Sequence, residues 1–307
     1  MTQKIIIDTD PGIDDAMAIF LAGLDPRIEL MALTTIFGNV RTPTATRNAL
    51  YLTQMLGQPI PVAEGAHKPL EIVPNPPADF VHGVEGFGDL PAFFPTRSAD
   101  KRKAHELISD LAREHKGEIT LCAIGPLTNI ALLLEHDPDV VHNLKNVVLM
   151  GGSVSEQGNV TPYAEANVWN DPHAADKVFA ADWDVTLIGL DITTTIHGTP
   201  NDFSELKKVS PQFGGFLFDA VQFYIRFYQQ ATGVNGCFMH DSTAITAITD
   251  PELFTYADLP LTVATEGERI GQTYTDNSLE RRKVHCALGV DANGVMNIFK
   301  KYVGMKG

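Results

Sequence analysis

The segment Asp8-Thr9-Asp10-Pro11-Gly12-Ile13-Asp14-Asp15 places four carboxylates within eight residues. An aspartate at a helix N-terminus caps free N–H groups and suits the helix dipole, which accounts for one or two of the four but not for all. Packed together without a counter-charge, such groups are driven toward protonation at a cost in stability, whereas a hard divalent cation holds them ionised. Oxygen donors select calcium or magnesium; thiolate and imidazole clusters select zinc or iron. Calcium takes more ligands in irregular geometry, so it can accept a substrate's vicinal hydroxyls beside protein carboxylates, which points toward a diol. Cys237 and His240 form a C-x-x-H pair, but one such pair lacks the remaining ligands of a tetrahedral zinc site.

Further polar residues stand where apolar runs end: Thr34 to Asn39, Ile124 to Asn129 and Met150 to Ser153. A glycine after a strand is by itself only a turn residue, yet three such loops would open on the same side of a sheet. Asn159, Glu165 and Asn167 follow in one segment and offer amide and carboxylate groups to hydroxyls, although turn and cap chemistry explains their spacing as well. In Phe238-Met239-His240-Asp241-Ser242, either Asp241 or Ser242 can be an N-cap. His240 directly beside a possible metal ligand is the group best matched to proton transfer near neutral pH.

The elements that must carry these loops read as alternating strands and helices. Strands are expected at Lys4 to Asp8, Glu29 to Ile36, Ile119 to Ile124, Asn146 to Met150 and Val185 to Leu190. Helices are expected at Asp14 to Leu24, Thr44 to Leu56, Lys101 to His115, Leu127 to Glu135 and Pro172 to Ala180. Strands apolar on both faces and separated by helices predict an α/β fold with an open, mostly parallel central sheet flanked by helices, whose ligands bind beyond the carboxyl ends of the strands. Glu64 to Asp100 is rich in Pro and Gly and weakly periodic, as a functional or a disordered loop would be. The aromatic stretch Gln212 to Gln230 reads as core. No linker divides the chain, so residues 1–307 are expected to form a single domain.

The 307 residues carry a formal charge of −15. Such a surface repels phosphate backbones and anionic lipid, and no basic stripe opposes it, so neither nucleic acid nor membrane is an expected partner. Cys122, Cys237 and Cys286 make an odd set without disulfide spacing, which together with the absence of a signal-like N-terminus predicts a cytoplasmic protein.

DTDPGIDDA at 8–16, TTIFGNV at 34–40, TRNAL at 46–50, IGPLTNIALLL at 124–134 and VVLMGGS at 147–153 give the chain a recognisable form. It resembles the inosine-uridine preferring nucleoside hydrolases. The similarity continues through GNVTPYAEAN, DPHAA, GLDIT and the His240-Asp241 pair, and so covers nearly the whole chain. TPYAEAN and His240 make it most similar to the bacterial ribonucleoside hydrolases that accept both purine and pyrimidine nucleosides.

The resemblance implies the nucleoside hydrolase fold with its Rossmann-like core, assembly as a dimer or tetramer, and calcium-dependent hydrolysis of the N-glycosidic bond to ribose and free base. It implies Ca²⁺ held by Asp10, Asp15, Asp241 and the backbone carbonyl of Ile124. Asp14, Asn39 and Asn167 would bind the 2′ and 3′ hydroxyls, and Asn159 and Glu165 the 5′ hydroxyl. Asp8 would orient its neighbours. Asp10 is expected as general base and His240 as leaving-group acid, with His82 and Tyr228 closing the base pocket. Phe238 and Ser242 stand where the family often has proline, and Ala166 where a bulkier residue is frequent; these departures bear on base preference. A haloacid-dehalogenase phosphatase also opens on a strand ending in Asp-x-Asp, but Pro11-Gly12 replace the hydroxyl-bearing turn such an enzyme needs. A calcium-dependent sugar- or nucleoside-binding protein is the remaining alternative, and Asp10 with His240 argues against it.

Overall fold

Ile5 and Ile7 pack into one apolar cluster and Ile6 into another, so the first strand is buried between two helical layers. That is the environment a strand without a polar face requires. The computed structural model describes residues 2–305. Its strands are β1 (Gln3–Thr9), β2 (Ile28–Thr35), β3 (Val62–Glu64), β4 (Ile119–Ala123), β5 (Asn146–Met150), β6 (Val185–Ile188), β7 (His197–Gly198), β8 (Cys237–Phe238), β9 (Phe254–Leu259), β10 (Leu261–Val263), β11 (Thr273–Thr275) and β12 (Val284–Val290). Eight of them form one sheet in the order β3-β2-β1-β4-β5-β6-β12-β9, while β7 pairs with β8 and β10 with β11. Every neighbouring pair in the large sheet is parallel except β12 with β9. The expected open, mostly parallel α/β sheet is therefore present.

The order explains where a ligand can go. From β1 the chain winds outward through β2 to β3, then crosses back to β4 and winds the other way through β5 to β6. This reversal between β1 and β4 is the topological switch point, where the crevice beyond the strand ends is widest. Asp8 and Thr9 end β1, and Ile124 follows β4. The acidic segment thus lies in the crevice.

Directly after β1 comes the helix Ile13–Leu24, whose residues Ile13 to Ala22 are all buried. Its apolar sequence suits burial on every side. It packs against the aromatic helix Phe213–Thr232 and the helix His240–Thr249, and these three elements bring the distant site segments together. No described helix is long and apolar enough to cross a membrane.

Several boundaries differ from the sequence reading for identifiable reasons. The helix expected from Thr44 begins at Thr42 with Pro43 in its first turn, where the missing N–H has no intrahelical partner to lose. The helix expected from Lys101 begins at Ala104, because the Asp100 carboxylate accepts the Arg102 N–H at 2.9 Å and holds a turn there. The strand expected to reach Leu190 ends at Ile188, and Leu190–Thr193 forms a short helix instead. The interval 64–100 contains the helix Asp79–His82 and is pinned to the body. Ala66 N–H donates to Asn129 Oδ1 at 2.9 Å, and Leu70 N–H to Asp171 Oδ2 at 2.8 Å.

Candidate active site

Six carboxylates in this crevice are buried: Asp8, Asp10, Asp14, Asp15, Glu165 and Asp241. No lysine or arginine among the described residues is buried with them. Asp15 is the best supported. Its Oδ1 accepts from the Thr9 hydroxyl at 2.5 Å and Asp10 N–H at 3.2 Å, and its Oδ2 from Gly12 N–H at 2.9 Å and Asn39 Nδ2 at 3.0 Å. It thereby satisfies free donors at the helix N-terminus while sitting at the positive end of the dipole.

Its neighbours are less completely satisfied. Asp10 Oδ2 accepts Asn39 N–H at 2.6 Å, and Asp14 Oδ2 accepts the Tyr224 hydroxyl at 3.1 Å. Asp10 Oδ1, Asp14 Oδ1 and Asp8 Oδ2 are buried without any hydrogen-bond partner. Such orphaned oxygens are costly unless something else neutralises them. Carboxylate oxygens of Asp14, Asp15 and Asp241 all lie within 4.8 Å of one another. The expected ligand set has Asp10 where this triad has Asp14; Asp10 lies beside the triad with its free Oδ1.

The charges respond as the geometry dictates. Burial raises Asp8 to about 7 and Asp14 to about 6. Burial and the charge of Asp15 push Asp10 well above the ordinary carboxylate range. Asp241 is raised in the same way, by burial and then by Asp14, Asp15 and Asp10. Buried oxygen donors that repel one another and lack partners fit a hard dication. The cluster can therefore hold a metal.

Two glycines make room for this arrangement. A Cβ on Gly38, whose φ is +155°, would stand 2.1 Å from Asp10 Oδ2. A Cβ on Gly12 would stand 2.6 Å from His82 Nδ1. The bare backbone lets His82 reach the helix N-terminus, where its Nδ1 accepts Ile13 N–H at 3.2 Å. Burial lowers His82 to about 4, so its ring is neutral and carries its hydrogen on Nε2.

Asn167 Nδ2 donates to the Ile124 carbonyl at 3.0 Å and the Met150 carbonyl at 3.1 Å. It thus joins the ends of β4 and β5 and engages the carbonyl expected to bind metal, which retains a second lone pair. Glu165 caps the helix Ala166–Asn170 through Asn167 and Val168 N–H and also accepts Gly152 N–H at 2.9 Å. Asn159 is exposed, and its Oδ1 accepts Ala166 N–H at 3.0 Å. These two expected contacts to a 5′ hydroxyl are therefore already engaged in positioning the loop.

His240 opens its helix in a buried position. A chain of hydrogen bonds runs from Asp14 to Tyr224, then to Tyr228 at 3.1 Å, to His240 Nε2 at 3.0 Å, and from Nδ1 to Thr193 Oγ1 at 2.8 Å. Burial lowers His240 to about 3, so the ring is neutral at physiological pH. Phe227 and Phe238 flank Tyr228, and Phe80, 70% exposed, meets the Phe227 ring at 5.8 Å. The structure brings His82, Tyr228 and His240 toward the acids as one aromatic wall. Tyr224 and Thr193 escaped the sequence reading. Two tyrosines four residues apart in an otherwise Phe-rich stripe was the signal for the first; the second closes the GLDIT segment, which carried the family resemblance but no sign of a role for its threonine.

A family model described as inosine-uridine preferring nucleoside hydrolase matches residues 5–297. The chain belongs to this family and is a ribonucleoside hydrolase. Uridine nucleosidase 1 of Arabidopsis thaliana is 40% identical, over 97% of this chain and 92% of the relative. The non-specific ribonucleoside hydrolase RihC of Salmonella paratyphi C is 39% identical, over 94% of each chain. Among solved structures, a plant nucleoside hydrolase superposes with a TM-score of 0.94 at 37% identity, covering 99% of both chains.

Proposed function

We propose that the chain is a calcium-dependent hydrolase of both purine and pyrimidine ribonucleosides, releasing ribose and free base through an oxocarbenium-like transition state. The observation that carries this reading is the buried acid cluster with orphaned oxygens, joined through Asp14 to a hydrogen-bond chain ending on His240. Asp10, Asp15, Asp241 and the Ile124 carbonyl would hold the ion, and Asp14 lies close enough to share it. When bound, calcium supplies Lewis acidity toward water and a grip on vicinal hydroxyls.

The residues divide the remaining work. Asp10, with its free Oδ1, takes a proton from the attacking water as general base. Asp14, Asn39 and Asn167 hold the 2′ and 3′ hydroxyls, while Asn159 and Glu165 shape the 5′ end. As the C1′–N bond breaks, its electron pair leaves with the base. The Nε2–H of His240, which rests on the Tyr228 oxygen in the free enzyme, offers a hydrogen bond to the negative charge developing there, and Tyr228 lines the same side of the base. His240 is neutral, so this assistance begins as hydrogen bonding rather than as donation from an imidazolium. His82 and the aromatic wall close over the base. Contacts to the hydroxyls that tighten in the transition state contribute to rate and disfavour 2′-deoxy substrates. A dimeric or tetrameric cytoplasmic enzyme of nucleoside catabolism completes the proposal, supported by the family and by three buried free cysteines.

A reducing-sugar assay on purified protein tests it. Inosine and uridine should both release ribose, and a calcium chelator should abolish the release until Ca²⁺ is restored. No release from any common ribonucleoside, or activity indifferent to chelation, refutes the proposal.

A further inference from the structure

The chain of hydrogen bonds ending on His240 has a direction, fixed residue by residue from the Asp14 end. The Asp14 carboxylate accepts the Tyr224 hydroxyl at 3.1 Å, which commits the single hydrogen of Tyr224. The 3.1 Å contact between Tyr224 and Tyr228 is then a hydrogen bond only if Tyr228 donates. Tyr228 has no hydrogen left for His240, 3.0 Å away, so Nε2 must carry the ring hydrogen and donate it. A neutral imidazole with its hydrogen on Nε2 presents a lone pair at Nδ1.

Thr193 Oγ1 lies 2.8 Å from that nitrogen. Thr193 is fully buried, and His240 Nδ1 is the one hydrogen-bond partner of its hydroxyl among the described residues. The two residues are held in register by the chain around them. Met239 N–H donates to the Ile196 carbonyl at 3.0 Å, and β7 pairs with β8 through His197 with Phe238 and Gly198 with Cys237.

We propose that Thr193 is a positioning residue for the hydrolytic reaction: its hydroxyl donates to Nδ1 and so keeps the His240 hydrogen on Nε2, facing Tyr228 and the departing base. In the opposite tautomer Thr193 would accept from Nδ1–H and its own buried hydrogen would have no acceptor, while the Tyr228 hydroxyl would face a bare lone pair with no hydrogen to offer. This inference rests on the reading of His240 as the group that assists the leaving base.

Thr193→Val keeps the shape and removes the donor; Thr193→Ser keeps the donor. With Val, kcat for uridine and inosine should fall between about tenfold and about a hundredfold while KM stays within about twofold, and Ser should restore kcat. A 4-nitrophenyl riboside releases a phenolate that needs no help in leaving, and its turnover should change by less than about twofold. Nitrogen-15 NMR of histidine-labelled enzyme should show His240 moving from the Nε2–H form to a mixture with the Nδ1–H form.

An unchanged tautomer in the Val variant overturns the role of Thr193 and leaves that of His240 standing. A shifted tautomer with unchanged nucleoside turnover overturns the role of His240 itself. Equal losses on nucleoside and aryl riboside reduce Thr193 to a packing residue and overturn the proposal.

Discussion

Removing one negative charge from the acid cluster should stabilise the metal-free protein and destabilise the calcium-loaded one. Asp241→Asn is the perturbation, because Asp14, Asp15 and Asp10 all act to raise the pKa of Asp241. The sign follows from linkage. Asp14 and Asp8 have folded values of about 6 and about 7 against an ordinary 3.8, so the metal-free folded state holds more protons than the unfolded chain across that interval. Its stability therefore falls as pH rises from about 4 through about 7. A single such carboxyl contributes about 1.4 kcal/mol per pH unit, or about 3 kcal/mol between pH ~4 and ~6. For a chain of this size the unfolding entropy is about 0.6 kcal/mol per degree, so the loss amounts to about 5 °C in Tm.

Calcium reverses the order. At a hundredfold excess over Kd it adds about 2.7 kcal/mol, or about 4 °C, but only where the ligands are already deprotonated. Differential scanning fluorimetry at about pH 5 and about pH 8, with chelator or with excess Ca²⁺, measures all four states of parent and variant. With chelator at the higher pH the Asn variant should melt above the parent; with Ca²⁺ it should melt below. A calcium increment equal at both pH values, or a parent that outlasts the variant without metal, would refute the view that repulsion among these acids is what the ion relieves.

Tyr224→Phe removes one hydroxyl from the middle of the Asp14-to-His240 chain without altering ring packing. The loss of a buried bond to a charged acceptor is about 2 kcal/mol, so kcat/KM for uridine should fall about thirtyfold; an unchanged value would detach the chain from catalysis. His240→Ala should reduce inosine turnover by about a hundredfold or more with a smaller effect on the Ki of ribose; equal losses in both would make His240 a binding residue. Gly38→Ala places a methyl 2.1 Å from Asp10 Oδ2 and should reduce calcium retained after gel filtration, measured by elemental analysis. Full retention would show that this loop yields without disturbing Asp10.

How much of this was legible in the sequence depends on how far apart the interacting groups lie. The acid cluster was readable because Asp8, Asp10, Asp14 and Asp15 are nearly contiguous and their mutual repulsion needs no tertiary information. The parallel strands were readable because burial on both faces leaves unbroken apolar runs. The edges were not: β3 is only three residues long, and β9, with burial on few of its residues, carries the weak pattern of a half-exposed edge strand. Thr193 fell just beyond a strand expected to reach Leu190, and its partner His240 is 47 positions away. Tyr224 and Asp14 are 210 positions apart, and Asn129 and Asp8, joined at 2.8 Å, are 121 apart. Hydropathy says that such side chains are buried; which hydroxyl or amide meets which carboxylate is decided only when the sheet order is known.

Asp14 makes the two halves of the site a single electrostatic unit. It belongs to the acid triad, and its Oδ2 receives the hydroxyl from which the direction of the whole chain to Thr193 follows. A protonated Asp14 could donate to Tyr224 instead, and each hydroxyl beyond it would be free to turn around. In the proposed mechanism, an ion that keeps Asp14 anionic would fix both the grip on the sugar and the orientation of the hydrogen offered to the base. The burial that makes Asp14 costly to ionise, raising it to about 6, also makes its charge state sensitive to whatever occupies the cluster. On the proposed function, binding at one end of the crevice and assistance at the other would be coupled through this one carboxylate.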